Sequence, residues 1–262
     1  MKRKANKYLI VNADDFNLTR GVSKAILYAA RLGVVSSTSV FINSNSVHHI
    51  AELRKIPSLG VGLHFNITLG RPVSSPSNIR TLITRRGTFK PLSSYRFNNI
   101  SKNEIFIELE AQIKKFITMF RCLPTHIDTH HHVHFYKNIY TVLSEAALCY
   151  KIPIRRRYFK KTTFGNKGII TTDYIFGRFN PGRHWRKRSL IQTVKRLKKG
   201  VTELIVHPGF SDAQLKRKSS FNIDREYELK GLSGKEFKET IEEKRVALIN
   251  FNDLKYLKMN VK

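Results

Sequence analysis

Tyr8-Leu9-Ile10-Val11-Asn12 runs directly into Ala13-Asp14-Asp15-Phe16. A short apolar run that ends in a polar cluster reads as a buried strand with chemistry at its C-terminal end. The design returns along the chain. Ser37 to Ile42 reads as a second strand, and Gly60 to Asn66 as a third that carries His64 and Asn66. His126 to Asp128 begins a fourth, Pro153 to Arg157 reads as another, Val201 to His207 is a strong strand, and Val246 to Asn250 is the last. Helical spacing lies between them: Ser23 to Leu32 ahead of Gly33, Val47 to Lys55 ahead of Pro57, Asn138 to Tyr150, and a basic helix from Trp185 to Lys199 stopped by Gly200. Ser101-Lys102-Asn103-Glu104 and Ser233 to Glu236 have capping-box spacing, and open helices to about Phe120 and Lys244. A short helical tail ends the pattern. Residues 70–100 form a long excursion near a site, 158–180 are ambiguous, and 208–224 form a loop.

Strands alternating with helices predict a parallel α/β sheet or barrel. No composition break or internal repeat divides residues 1–262, so one domain is expected. Polar residues fall at four strand ends: Asn12-Asp14-Asp15, His64-Asn66, Asp128-His130 and His207. A TIM-like barrel gathers strand ends around one mouth, where active sites sit, and this points to an enzyme.

The composition, 41% hydrophobic and 26% charged, supplies a sizeable core and excludes a wholly disordered chain. No apolar run approaches the ~18 residues of a membrane span. The basic start MKRKANKYLIVNADDF has only Tyr8 to Val11 as an apolar stretch and does not read as a signal peptide. Cys122 and Cys149 cannot make a disulfide framework or a CxxC metal site, so a reducing cytoplasm is the expected setting. With 48 Lys and Arg against 19 Asp and Glu, the formal net charge is +29. The cations cluster at Arg155-Arg156-Arg157 with Lys160-Lys161, at Arg183 to Arg188, at Lys195 to Lys199 and at Lys216-Arg217-Lys218. They read first as a solvated basic surface, which could also dock on anionic lipid or an acidic glycan at the inner membrane face. No signature of a dedicated nucleic-acid module accompanies them. A homodimer is compatible with the sequence.

Five of the ten histidines lie within His126-Ile127-Asp128-Thr129-His130-His131-His132-Val133-His134. If this segment stays extended, His126, Asp128, His130, His132 and His134 share one face. A lone histidine is usually a satisfied core residue, but five in nine beside a carboxylate suit a metal centre. Asp14 and Asp15 are adjacent and point differently, so one can bind a metal while the other takes a proton from water. His64 between Leu63 and Phe65, and His207 before Pro208-Gly209, would each read as structural alone. Their coincidence at strand ends carries the signal.

Asn12-Ala13-Asp14-Asp15-Phe16, Gly62-Leu63-His64-Phe65-Asn66, the histidine run and His207-Pro208-Gly209 together resemble the YdjC-like carbohydrate deacetylases, which include the chitooligosaccharide (diacetylchitobiose) deacetylases. The resemblance extends from Tyr8 to Ile249-Asn250-Phe251 and Asn252-Asp253-Leu254. It implies a deformed TIM-like (β/α) barrel related to the polysaccharide deacetylases. It implies one divalent metal on Asp15, His64 and His130, with Asp14 as general base and His207 as acid or oxyanion partner. Asn66, His126, Asp128, His132 and His134 would contact substrate or support the ligands. The family is described with magnesium, whereas two imidazoles and a carboxylate also suit zinc. Asn17 departs from the family's usual glycine, a change that asparagine's tolerance of left-handed backbone accommodates. The high charge also departs from a typical member and bears on the substrate. The implied reaction is metal-assisted removal of acetate from an N-acetylated sugar, oligosaccharide or glycolipid. The alternative is a metal-dependent phosphoesterase or nuclease, for which +29 would hold a polyanion; a further one is a non-catalytic protein that binds through its basic face.

Overall fold

The computed structural model describes residues 6–44, 49–95, 100–157, 168–177 and 185–259. Val47 and His48 of the expected second helix, Lys160-Lys161, Arg183, and residues 158–167 and 178–180 of the ambiguous stretch lie outside the described residues.

Strand β1 (Lys7–Phe16) is the spine. On one edge it pairs with β6 (Gly200–Val206) from Lys7 to Ala13. Its other edge forks. The lower part, Tyr8 and Leu9, pairs with β7 (Ala247–Leu248), and the upper part, from Asn12, pairs with β2 (Ser37–Val40). Ser36 fastens the fork: its Oγ accepts from Val11 N at 3.1 Å and donates to Ile249 O at 2.6 Å. Strands β3 (Gly60–Phe65) and β4 (Ile127–Thr129) continue beyond β2, and β5 (Tyr174–Phe176) lies outside β6. All these pairings are parallel, so the strand ends that carry polar residues open on one side. Ile154 bridges to Ile127 on β4, and its N–H donates to Ile170 O on the β5 side, joining the two flanks of the curved sheet. This is a deformed, incompletely closed (β/α) barrel.

Helices α1 (Arg20–Arg31), α2 (Ile50–Leu53), α3 (Lys102–Phe120), α4 (Lys137–Tyr150), α5 (Lys187–Lys195), α6 (Ala213–Lys218), α7 (Asp224–Ser233), α8 (Lys235–Glu243) and α9 (Phe251–Met259) surround it. Helix α1 starts at Thr19, whose side chain accepts from Val22 N, and ends before Gly33 at φ +73°. In α3, Ile105, Leu109, Ile113 and Phe116 recur at helical spacing and are buried. Glu108 and Gln112 are buried on this helix too. Glu108 receives Val73 N and Ser74 N at 3.0 Å each, which ties the 70–100 excursion to the barrel. That excursion contains two short 3-10 turns, Pro76–Asn78 and Leu92–Ser94, and an antiparallel bridge from Ile83 to Phe89.

Several expectations are corrected. Pro153 to Arg157 forms only a bridge at Ile154, where Ile127 N donates to Pro153 O and Arg155 N donates to Ile127 O, while the Arg155 side chain turns inward to Asp14 and Glu203. Ser101 caps α3, but Glu104 turns outward to Thr81 N at 2.8 Å and does not close the box. Ser233 caps nothing. It ends α7, donates to Leu229 O, and leaves Gly234 as the residue before α8. The 208–224 loop holds α6, capped by Asp212. Helix α7 was not foreseen.

Candidate metal and acid–base site

The histidine run does not stay extended. It follows β4 to Thr129, and then His130–Phe135 winds into 3-10 turns with His131 and His132 at φ 52° and 51°. The single face expected for His126, Asp128, His130, His132 and His134 therefore does not exist. His126 and Asp128 share the barrel interior. His130 reaches the mouth, His131 is exposed beside it, and His134 turns back so that its Nδ1 meets Thr129 Oγ1 at 2.7 Å.

The two aspartates of β1 enter the same mouth through a bulge. The β1–β2 register shifts between Ala13 and Phe16, and Asp15 is left-handed at φ 71°. A bulge re-aims one side chain that strict alternation would send outward. Asn17, at φ 73°, completes the turn as its tolerance of this region predicts, and its Nδ2 donates to Phe41 O at 2.9 Å.

Asp15, His64 and His130 converge. Asp15 Oδ1 lies 3.1 Å from His64 Nε2 and 3.3 Å from His130 Nδ1. Donors about 2.0–2.2 Å from one cation and near right angles to each other would be about 3 Å apart, so the spacing fits a shared divalent ion. Asp15 Oδ2 takes Arg225 Nη2 at 2.6 Å, which leaves Oδ1 facing the imidazoles. Burial alone would raise the Asp15 pKa, but Arg225, His130 and His64 hold it well below the usual carboxylate range. Asp128 Oδ1 lies 2.7 Å from His64 Nδ1 and aims Nε2 at Asp15, the support a metal-binding imidazole usually has. Burial opposes the His64 cation, but Asp128 and Asp15 outweigh it and raise its pKa to about 10. A metal at this place would displace that proton. His130 is held neutral, chiefly by burial, with its pKa lowered. Phe41 closes one side, edge-on to both rings at 4.9 and 4.8 Å.

Asp14 belongs to a second buried cluster. Arg155 grips it twice, Nη1 to Oδ2 at 2.8 Å and Nη2 to Oδ1 at 2.7 Å. The same Nη2 reaches Asp128 Oδ2 at 2.8 Å, and Nε reaches Glu203 Oε1 at 2.8 Å. Asn12 Nδ2 bridges Asp14 and Asp128 at 2.8 and 3.1 Å. His207 Nε2 lies 3.8 Å from Asp14 Oδ2, and Glu228 Oε2 anchors its backbone N at 2.6 Å. Burial lowers the His207 pKa to about 4 against the pull of Asp14 and Asp15, so its imidazole is neutral at pH 7.

Most of the residues expected to contact substrate or support the ligands are buried. Asn66, His126 and Asp128 are 0% exposed and His134 1%. Asn66 is spent on Asn43 Oδ1, Leu69 O and the Thr68 and Leu69 N–H groups. His126 stacks on Phe251 at 3.9 Å, against a Gly62 whose added Cβ would lie 2.2 Å from the ring. His132 is half-buried, its ring 6.4 Å from that of His207. Sequence reasoning missed Arg155, Arg225, Glu203 and Glu228. Arg155 was grouped with Arg156 and Arg157 as surface charge, yet it is 1% exposed. Its place directly after the Pro153-Ile154 strand end was the available signal.

The family model described as YdjC-like protein matches residues 8–243. A carbohydrate deacetylase of Thermoanaerobacter pseudethanolicus is 34% identical over 251 residues, 95% of this chain and 100% of the relative. A chitooligosaccharide deacetylase of Proteus mirabilis is 35% identical over 253 residues, covering 94% and 98%. Among solved structures, a putative cellobiose-phosphate cleavage protein of Enterococcus faecalis superposes with a TM-score of 0.86 at 28% identity, covering 95% of this chain and 99% of that one. A family 4 carbohydrate esterase of Streptomyces lividans, at TM-score 0.51 and 11% identity over 94% and 93%, shares the fold. The expected barrel kinship is thus borne out, and the chain belongs to the YdjC-like family.

Proposed function

We propose that this chain removes the acetyl group from an N-acetylated sugar, oligosaccharide or glycolipid, using one divalent cation held by Asp15, His64 and His130. The observation that carries this reading is Asp15 Oδ1 facing two imidazole nitrogens at 3.1 and 3.3 Å, with a second carboxylate, Asp14, kept out of the donor set by Arg155. The names of the two deacetylase relatives supply the substrate class. Two imidazoles and one carboxylate suit zinc by donor softness, and magnesium would need added water ligands.

When bound, the cation would act as a Lewis acid and make water a nucleophile near neutral pH. Asp14, fixed by both Arg155 Nη atoms, accepts a proton from the attacking water. His207 is neutral and close to Asp14. It donates a hydrogen bond to the oxygen of the tetrahedral centre, and the proton that Asp14 took passes to the departing nitrogen, directly or relayed through His207, which takes one proton from Asp14 for the one it gives up. The amide C–N bond breaks, the nitrogen leaves as an amine and the acyl group as acetate.

A two-metal phosphoesterase would need a second ion about 3.5–4 Å away. In the second candidate donor group, Asp14, His64 and Asp128, both carboxylates already pair with the Arg155 guanidinium, which favours the mononuclear reading. Metal analysis of the purified protein, joined to acetate release from a panel of N-acetylated sugars with and without chelator, tests the proposal. About one equivalent of metal and chelator-sensitive acetate release are expected. Nuclease activity without acetate release from the same preparation would sink it.

No helix among the described residues is long and apolar enough to cross a membrane. Cys122 and Cys149 are unpaired and exposed, which supports a reducing, cytoplasmic setting. The +29 charge supports peripheral docking on anionic lipid or glycan, which salt should weaken.

A further inference from the structure

We infer that His131 is a substrate-recognition residue of this site, presenting the lone pair of Nε2 to a sugar hydroxyl. The inference rests on the deacetylase reading for its ligand and on hydrogen-bond order for its chemistry.

Three successive imidazoles leave β4 in different directions because His131 (φ 52°, ψ 22°) and His132 (φ 51°, ψ 33°) are both left-handed. That conformation is unfavourable for an L-residue, so the surroundings must hold it. Its consequence is that His131 stands exposed at the mouth, its ring 3.7 Å from that of His130 and tilted by 31°. Neither the proposed metal site nor the proton path uses it.

Its proton position is set from a distance. The carbonyls of Leu69 and Arg71 can only accept, and Asn43 Nδ2 meets them at 2.9 and 3.0 Å. Asn43 Oδ1 is therefore the acceptor for Asn66 Nδ2 at 3.0 Å. This turns Asn66 Oδ1 toward the Thr68 and Leu69 N–H groups at 3.0 and 3.1 Å and the Thr68 hydroxyl at 3.3 Å. When Thr68 directs its one hydrogen to Asn66 Oδ1, its Oγ1 is left to accept from His131 Nδ1–H at 2.9 Å, and the inference takes this order. A neutral imidazole protonated at Nδ1 has its lone pair at Nε2. Such a group selects a donor, and a sugar ring supplies hydroxyl donors beside its acetamido group. Asn66 thus acts on substrate through Thr68 and His131, not by contact.

Nitrogen NMR of histidine-labelled protein reads the tautomer without any turnover. His131 should show a protonated Nδ1 and a bare Nε2, and Thr68→Val should let the other tautomer appear. In kinetics, His131→Ala should raise KM about tenfold, as loss of a buried-side hydrogen bond does, with kcat and metal content within about twofold. An analogue lacking the recognised hydroxyl should not distinguish the variant from the wild type. His131→Asn, at home in left-handed backbone, serves if the alanine variant fails to fold, and should recover part of the KM. A proton on Nε2, an unchanged KM in the folded variant, or metal lost with His131 would each overturn the inference. A wild type that releases no acetate would overturn the deacetylase reading alone, since the tautomer is read separately.

Discussion

Two groups of buried carboxylates share one barrel mouth and meet their charge in opposite ways. Asp15 faces His64 and His130 with one oxygen left for an outside cation. Asp14, Asp128 and Glu203 surround a cation the chain brings itself, the guanidinium of Arg155. Removing a charge from water costs several kcal/mol unless it is paired, so both groups need a positive partner. The difference shows that gathered carboxylates do not by themselves define a metal site. What separates the two is that Arg225 takes only Asp15 Oδ2 and leaves Oδ1 to the two imidazoles, whereas the Arg155 guanidinium stands in the middle of the second group. The division also suits the proposed roles, Asp15 as a metal ligand and Asp14 as a proton acceptor.

The comparison breaks most readily at the first group. Asp15→Ala should leave bound metal and acetate release at background, read by metal analysis and product assay; retained metal would move the site elsewhere. Asp14→Asn should keep the metal and lower kcat about 10²–10⁴-fold, the usual worth of a general base. If Asp14→Asn loses metal as well, the two groups are one. Arg155→Met should destabilise folding by about 3–5 kcal/mol in urea titrations, because three buried carboxylates then lose the guanidinium they share. A variant as stable as the wild type would show that those carboxylates are already neutral.

The smallest effect concerns Glu203. Burial raises its pKa to about 7, against the opposing pull of Arg155 and with Asp128 and Asp14 adding to the rise. Its folded value lies above the ordinary one, so its contribution to stability is complete below about pH 4.5 and is lost as pH climbs through 7. Glu203→Gln should flatten the fall of the urea midpoint between pH 5 and 8. An unaltered slope would place the proton on another group.

Much of the barrel was legible because its signals are local. The Tyr8–Asn12 run, the Ser101 cap and the position of Gly33 each depend on near neighbours, and each element appears where expected. Asp15, His64 and His130 were legible through motifs at strand ends, and the structure brings them together. The histidine run was misread after Thr129 because period-two spacing cannot reveal two left-handed residues. Arg155 was misread as surface because its neighbours in sequence, Arg156 and Arg157, say nothing of Asp14, 141 residues away. Arg225 and Asp15 are separated by 210 residues, with the same result. Helix α7 was missed since its buried face carries Arg225 and Glu228 among apolar residues, which blurs the pattern.

The sequence by itself determined the alternation of strands and helices over most of the chain, the strand ends that carry chemistry, and the kinship. Backbone propensity and apolar periodicity are written within a few residues of where they act. Only the tertiary structure decided which carboxylate is left open to a cation and which is locked to an arginine. It also decided which partner each histidine nitrogen meets. Charge and proton position depend on what lies within about 3 Å in space, and barrel closure brings those atoms together from distant parts of the chain.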